Sequence, residues 1–332
     1  HAVDPSRIMT FTSGWAGSED KEEDSKAHML PFDTTLYRKG WHDNHRAGGP
    51  ETWVENYYKG PKDNIMYTGN RTEVFLRGEE GAISTPPRIQ LINDEVERTG
   101  KTGWDGLFWK SQYKAFTDYF QKKGLASHFG TLDDLTRSMA NVSFEHQGRR
   151  IEGMRMQNLG DAYMVNGWEA MPYDNHSGIV DIYRNPKGDA SILAYYNQPL
   201  YVAVASRNQV VKLPGSAIVD FYIVNEKNLK GNHILEIKVI APDGKVVYTR
   251  NEKVSIEGGE TFGQLLLENV EVPINAKEGT YRILADIKAD NQQICAQGHD
   301  EVVAVGWQAN DLAGNGAYYG SENDKVAAFY KE

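Results

Sequence analysis

The chain has 332 residues, 40% hydrophobic and 25% charged, with a formal net charge of −10. This is the composition of a globular protein of about two domains. The acidic balance and the lack of any Lys/Arg-rich tract argue against nucleic acid as a partner, and no segment reaches the roughly 18 uninterrupted apolar residues of a membrane span.

The opening His1-Ala2-Val3-Asp4 carries no Met, basic region or apolar core, so it reads as a processed or excised start. Residues 1 to about 190 alternate strand and helix patterns, which implies parallel pairing. Arg7–Thr12 is a short apolar strand candidate closing on Ser13-Gly14-Trp15. Thr35–Tyr37 leads into Gly40-Trp41-His42-Asp43-Asn44-His45. Thr72–Pro87 is the most informative stretch: the run Val74-Phe75-Leu76 ends abruptly in Arg77-Gly78-Glu79-Glu80-Gly81. That is the pattern of a buried parallel strand delivering carboxylates to the carboxyl edge of a sheet, where (β/α)8 barrels build their active sites. A carboxylate there is paired, hydrogen-bonded or used.

Trp109–Lys123 places Tyr113, Phe116 and Phe120 at helical spacing, with Gly124 as a stop. Thr131–Phe144 starts with a Thr cap and has Asp134 three residues on, a weak capping box. Its Leu132, Leu135 and Met139 share a face, and Glu145–Asn158 continues it. Ala162–Val165 is a strand leading into Asn166-Gly167-Trp168-Glu169. The connections Gly14–Thr34 and Gly40–Met66 are long and polar, and read as the walls of a site. Trp15, Trp41, Trp104 and Trp168, beside polar strand ends, are either core or flat platforms for a sugar ring.

Asn185-Pro186-Lys187-Gly188-Asp189 reads as a linker, after which the pattern changes. Leu200–Ser206, Ala217–Asn225, Ile234–Ala241, Val246–Arg250, Phe262–Val272, Tyr281–Lys288 and Val302–Trp307 are strand candidates over residues 198–307, many of them alternating. Pro242-Asp243-Gly244 is a hairpin signal. About seven short strands at regular spacing suggest an immunoglobulin-like β-sandwich. The one cysteine, Cys295, excludes an internal disulfide and is a small core residue of an apolar strand. Residues 308–332 are Gly/Asn-rich, an extended tail or the lead into a further domain.

The order of the first half resembles the C-terminal half of the catalytic barrel of glycoside hydrolase family 2, the family of β-galactosidases, β-glucuronidases and β-mannosidases. Asp4-Pro5-Ser6-Arg7 with Ile8–Thr12 is similar to the entry to the fifth barrel strand. His42-Asp43-Asn44-His45 lies where the sixth strand would end, and Phe75–Ala82, FLRGEEGA, is similar to the seventh-strand pattern SEYGA. Gly160–Asp181 resembles the eighth strand, whose Trp floors the sugar site. Tyr183–Lys187 is similar to the exit into the next sandwich, and Asp220–Gly231 to a strand pair of the accessory domains. The resemblance implies an α/β plus all-β chain: strands 5–8 of a TIM barrel over residues 1–190, then an immunoglobulin-like sandwich.

Carried over by position, Glu79 is the nucleophile, with Glu80 as the alternative; this chain has Gly78 for the family's Ser and Glu80 for its Tyr. Arg77 would share a side of the strand with Glu79 and favour its ionised form. Trp168 is the candidate stacking floor, Glu169 a hydroxyl partner, and His42, Asp43, His45, Asn175 and Trp15 are further sugar contacts. The structural alternatives are an Arg77–glutamate ion pair, core packing of Trp168, and loop residues with no ligand. The family's acid/base glutamate lies in an Asn-Glu pair upstream of Asp-Pro-Ser-Arg. Here Asn225-Glu226 and Asn251-Glu252 both fall in the sandwich half. The acid/base and first four strands are therefore expected outside this chain, and the isolated chain is expected to be inactive.

The leading function is a part of a retaining exo-acting β-glycosidase, β-galactosidase-like, working on oligo- or polysaccharides without a cofactor. Its implied partners are the carbohydrate, the missing N-terminal half and, for a homo-oligomer, a second copy. Its implied location is periplasmic or secreted. Two other classes remain: a non-catalytic carbohydrate-binding protein with a degenerate barrel, and a metal-dependent hydrolase using His42 and His45, for which an H-x-x-H pair without a third ligand is weak support.

Overall fold

The computed structural model describes residues 41–46, 58–62, 74–80, 83–100, 103–158, 162–165 and 178–306. Three strands, β1 (Trp41–Arg46), β2 (Val74–Glu80) and β3 (Ala162–Val165), form a sheet in that order with both pairings parallel. The expected strand Arg7–Thr12 lies outside the described residues, as does Thr35–Tyr37. The strand near the latter is Trp41–Arg46 itself, so His42, Asp43 and His45 are strand residues rather than the loop after a strand.

Four helices fill the β2–β3 crossover: α1 (Ile89–Thr99), α2 (Trp104–Lys122), α3 (Ala126–Phe129) and α4 (Leu132–Arg155). α1 stops at Gly100, which takes the left-handed conformation (φ 63°) that glycine adopts without penalty. Trp104 is the first residue of α2, not a strand-end residue. α4 is one continuous helix of 24 residues. Thr131 caps it by accepting a hydrogen bond from the Asp134 N–H at 3.0 Å, and Asp133 and Asp134 suit the positive end of its dipole. Ile89, Ile92, Val96, Trp109, Phe120 and Leu132 form the helical core, with Tyr113, Phe116 and Leu135 packed against it. Met139 does not share that face and is 38% exposed. The buried line down α4 instead runs Thr136, Ala140, Ser143, Phe144, Gln147, Ile151 and Met154, through small and polar residues that hydropathy does not flag.

Residues 185–189 are not a free linker. Asp181 is fully buried and accepts hydrogen bonds from the Tyr183 and Asn185 N–H groups at 2.8 and 2.9 Å. The tight turn that results, with Arg184 at φ 69°, leads straight into a buried Lys187 and helix α5 (Ala190–Tyr196).

Eight strands follow: β4 (Leu200–Ser206), β5 (Val210–Lys212), β6 (Gly215–Asn225), β7 (Gly231–Ile240), β8 (Val246–Ile256), β9 (Gly263–Ile274), β10 (Gly279–Lys288) and β11 (Ile294–Val305). They make two sheets, β5-β11-β10-β7-β8 and β4-β6-β9. Val202, Val219, Phe221, Ile237, Tyr281 and Ile283, among others, fill one core drawn from both. The expected Asp243-Gly244 hairpin joins β7 to β8, with Gly244 at φ 83°. Cys295 is partly buried against the core. β7 alternates as a sheet strand with one wet face should, but β4 and β6 are buried almost throughout. The reason is a second contact: Tyr201, Ala203, Ala205, Tyr222 and Val224 on the outer face of the β4-β6-β9 sheet pack with Met156, Tyr58 and Tyr195.

The two halves are therefore in close contact. Gly148 of α4 lies so near Tyr196 that a Cβ would come within 2.0 Å of its ring. Arg155 at the end of α4 donates to the carbonyls of Tyr196 (2.5 Å) and Gln198 (2.7 Å) and to Glu226 (2.7 Å).

Candidate functional site: the carboxyl edge of the parallel sheet

β2 is the central strand, and its last two residues are Glu79 and Glu80. In register, His45 pairs with Glu79 and Arg46 with Glu80 on the β1 side. On the β3 side Arg77 pairs with Tyr163 and Glu80 with Val165. Residues paired across parallel strands sit about 5 Å apart, so the backbone brings His45 and Glu79 together. His42 pairs with Phe75 and Asp43 with Leu76, further back along the strand.

The ladder carries an irregularity at the same place on both sides. From Leu76 to Glu79 β2 advances three residues while β1 advances two, from Asp43 to His45. From Arg77 to Glu80 it again advances three while β3 advances two, from Tyr163 to Val165. β2 thus holds one extra residue around Arg77-Gly78-Glu79, a bulge of the kind that re-aims residues next to active sites and that an in-strand glycine often marks. Of the other expected site residues, Trp15, Trp168, Glu169 and Asn175 lie outside the described residues.

The segment after β2, Ile83–Arg88, is held at three points. The Ser143 hydroxyl of α4 donates to the Ile83 carbonyl at 2.7 Å. Lys187 Nζ donates to the Thr85 carbonyl at 2.9 Å, and Arg88 forms a two-pronged ion pair with Asp133 at 2.9 and 2.5 Å. Lys187 is 0% exposed, and burial pulls its ammonium down to about 8. Sequence reasoning placed Lys187 in a linker; the missed signal was Asp181, whose Asx turn aims the chain inward.

A second polar cluster joins α4 and α5 to the sandwich. A cavity of about 700 Å³ is lined by Glu145, Arg149, Tyr196, Gln209, His299 and Asp300, among others. Arg149 pairs with the buried Asp300 at 2.6 Å, and the Tyr196 hydroxyl donates to Glu145 at 2.8 Å. Nearby, Glu152 is buried, and loss of hydration pushes its carboxyl up to about 8, although Arg149 pulls the other way. Burial also lowers His299, whose backbone N–H donates to the Tyr195 hydroxyl at 2.8 Å. No charged residue of this cluster was singled out from the sequence, because its contacts join positions far apart in the chain, Arg149 to Asp300 and Glu145 to Tyr196.

No family model matches the chain, and no curated protein matches it. Solved structures do. It is similar to a β-D-mannosidase from Dictyoglomus thermophilum, at 13% identity over 79% of this chain and 30% of that one, TM-score 0.48. It is similar to the exo-chitosanase CsxA of Amycolatopsis orientalis, at 14% identity over 52% of this chain and 20% of that one, TM-score 0.37. A glycosyl hydrolase family 2 member from Bacteroides cellulosilyticus matches at 14% identity over 32% of this chain and 15% of that one, TM-score 0.23. The last of these is described as a member of glycosyl hydrolase family 2. The chain spans less than a third of the length of each of these three structures.

Proposed function

We propose that this chain is the part of a retaining exo-acting β-glycosidase, β-galactosidase-like in its chemistry, that carries the catalytic nucleophile Glu79. In this reading β1, β2 and β3 are strands six to eight of a (β/α)8 barrel, Arg7–Thr12 is the fifth, and the two antiparallel sheets are an immunoglobulin-like domain that follows. One observation supports it most: the central parallel strand β2 ends, after a bulge at Gly78, on Glu79-Glu80, with His45 as the register partner of Glu79.

Retaining hydrolysis needs two carboxyl groups about 5–5.5 Å apart. The Glu79 carboxylate attacks the anomeric carbon while an acid protonates the departing oxygen. A covalent glycosyl-enzyme forms, and water, deprotonated by the same acid/base group, releases the sugar with its configuration retained. The acid/base comes from a part of the enzyme outside this chain. His42, Asp43, His45, Arg77, Asn175 and Glu169 bind hydroxyls or hold Glu79 ionised, and Trp168 and Trp15 stack on sugar rings. The enzyme meets its polysaccharide in the periplasm or outside the cell.

The test is trapping. The native enzyme containing this chain is treated with a panel of activated 2-deoxy-2-fluoro-β-glycosides, digested, and the labelled peptide sequenced by mass spectrometry. The label is expected on Glu79, and Glu79→Gln should lose both labelling and turnover. A label on Glu80 would move the nucleophile by one residue. Sugar binding without turnover of any glycoside would make this a carbohydrate-binding protein and overturn the proposal.

A further inference from the structure

The sandwich has four edge strands, and they are not alike. β5 has only three residues. β4 is shielded at Val202, whose carbonyl oxygen a Cβ on Gly298 of β11 would meet at 1.6 Å. β9 loses register with β6 twice, and its Asn269 sits at φ 58°. Short, covered or kinked strands are the usual ways of blunting an edge. β8 has none of these features. Its eleven residues include no proline, its register with β7 is unbroken from Tyr248 to Ile256, and among the described residues no strand lies beyond it.

The end of β8 shows which backbone groups face outward. Gln264 of β9 donates to the Ser255 carbonyl at 2.9 Å and accepts from the Glu257 N–H at 3.0 Å. In an antiparallel strand alternate residues turn both N–H and C=O to the same edge, so Thr249, Asn251 and Lys253 turn theirs outward with Ser255. Among the described residues nothing bonds to the N–H or carbonyl groups of those three. Their side chains are exposed, while Tyr248, Val254 and Ile256 turn to the core.

This edge is complementary to itself. A second copy laid antiparallel about a two-fold axis at Asn251 sets Arg250 opposite Glu252 of the second copy, Tyr248 opposite its Val254 and Thr249 opposite its Lys253. The two-fold repeats each pair, so two Arg–Glu pairs flank the axis. Within one chain Arg250 already holds Glu252 at 2.6 Å on this face, and the axis places two such pairs head to tail. Other registers are worse. Moving the axis one residue either way sets Arg250 against Arg250 or Glu252 against Glu252, and like charges directly opposite destabilise a sheet. A half-step matches outward backbone groups with inward ones.

We propose that β8 is the surface by which two copies of this protein associate, antiparallel about Asn251, joining their five-stranded sheets edge to edge. The contact is isologous, and the outward groups of Thr249, Asn251 and Lys253 exchange about six backbone hydrogen bonds across it. It is independent of the glycosidase reading.

The test is sedimentation equilibrium of the native protein containing this chain, over a wide range of concentration. Arg250→Glu gives a chain with two acids beside the axis, and Glu252→Arg one with two bases. Both side chains are part exposed, so the fold accommodates the changes. Each variant alone should dissociate about thirtyfold more readily than the unmodified protein, because two attractive pairs become repulsive. Mixed in equal amounts, the two variants should form a heterodimer as tight as the native dimer. A native protein that is monomeric throughout overturns the proposal, and so does a dimer that neither substitution weakens. Variants that dissociate alone and stay apart when mixed overturn the pairing about Asn251.

Discussion

Replacing Glu152 by Gln should flatten the pH dependence of stability between pH 4.5 and 8. Glu152 is buried where α4 meets α5, β4 and β11, facing Arg149, Arg155 and Glu145 on its own helix, Tyr195 on α5, Tyr201 on β4 and Asp300 on β11. Its carboxyl is pushed from an ordinary 4.5 up to about 8, chiefly by burial. The native state therefore keeps a proton that the unfolded chain releases above pH 4.5. Stability falls as pH rises through that window and levels off above pH 8. The full shift of about 3.5 units is worth about 5 kcal/mol at 1.36 kcal/mol per unit. Between pH 6 and 8 the loss is about 2 kcal/mol. With a urea slope of roughly 3 kcal/mol/M, the unmodified protein's midpoint should drop about 0.7 M more than the variant's over those two units. Other titrating groups contribute equally to both proteins and cancel in the difference. Urea unfolding at half-unit pH steps, followed by tryptophan fluorescence, reads it directly. Midpoint curves for the two proteins that run parallel from pH 5 to 8 would show that Glu152 is charged in the folded state, and the linkage argument would fail.

Lys187 should produce the opposite limb. Its native value of about 8 lies below the unfolded 10.5, so the unfolded chain holds more protons between the two and stability rises with pH across that window, by about 3 kcal/mol in all. The pair predicts a trough near pH 8, and Lys187→Met should remove the alkaline recovery; an unchanged alkaline limb in the variant would refute it. Asp220 is fully buried and accepts from Arg207 at 2.9–3.2 Å, from the Asn269 N–H at 2.6 Å and from the Tyr58 hydroxyl. Asp220→Ala should cost about 3 kcal/mol, the low end for a broken buried pair because Arg207 can rehydrate. Glu268→Ala, which removes only the exposed partner of Arg207, should cost under about 1 kcal/mol by the same urea assay.

What was legible in the sequence was what local chemistry decides. The Thr131 cap, the Asp243-Gly244 turn, the span Leu200–Ser206 and the short strand Ala162–Val165 all follow from neighbours a few residues away. α1 was missed because only Ile89, Ile92 and Val96 of its eleven residues are buried, and β5 because three residues show no period. Met139 was misplaced because the buried face of α4 passes through Thr136 and Ser143, which fit a tight helix contact by size rather than hydropathy. The carboxylate edge at Glu79-Glu80 was legible as a strand end. The bulge at Gly78 was not, because an extra residue exists only relative to the two neighbouring strands.

The charged residues the sequence hid are informative for one reason: they hold the strand edge and the sandwich to the same helix. α4 anchors the loop after β2 through Ser143 and, by way of Arg88, through Asp133. Two to three turns later the same helix places Arg149, Glu152 and Arg155 against β11 and β4 and the carbonyls that lead into β4. One helix thus links Asp300 and Tyr201 to the Ile83 carbonyl and Arg88 of the segment after β2. The sandwich is then more than a passenger. Its ion pairs with α4, Arg149–Asp300 and Arg155–Glu226, are each buried on one side only, and such pairs are weak devices for stability, since well-packed apolar residues would serve as well.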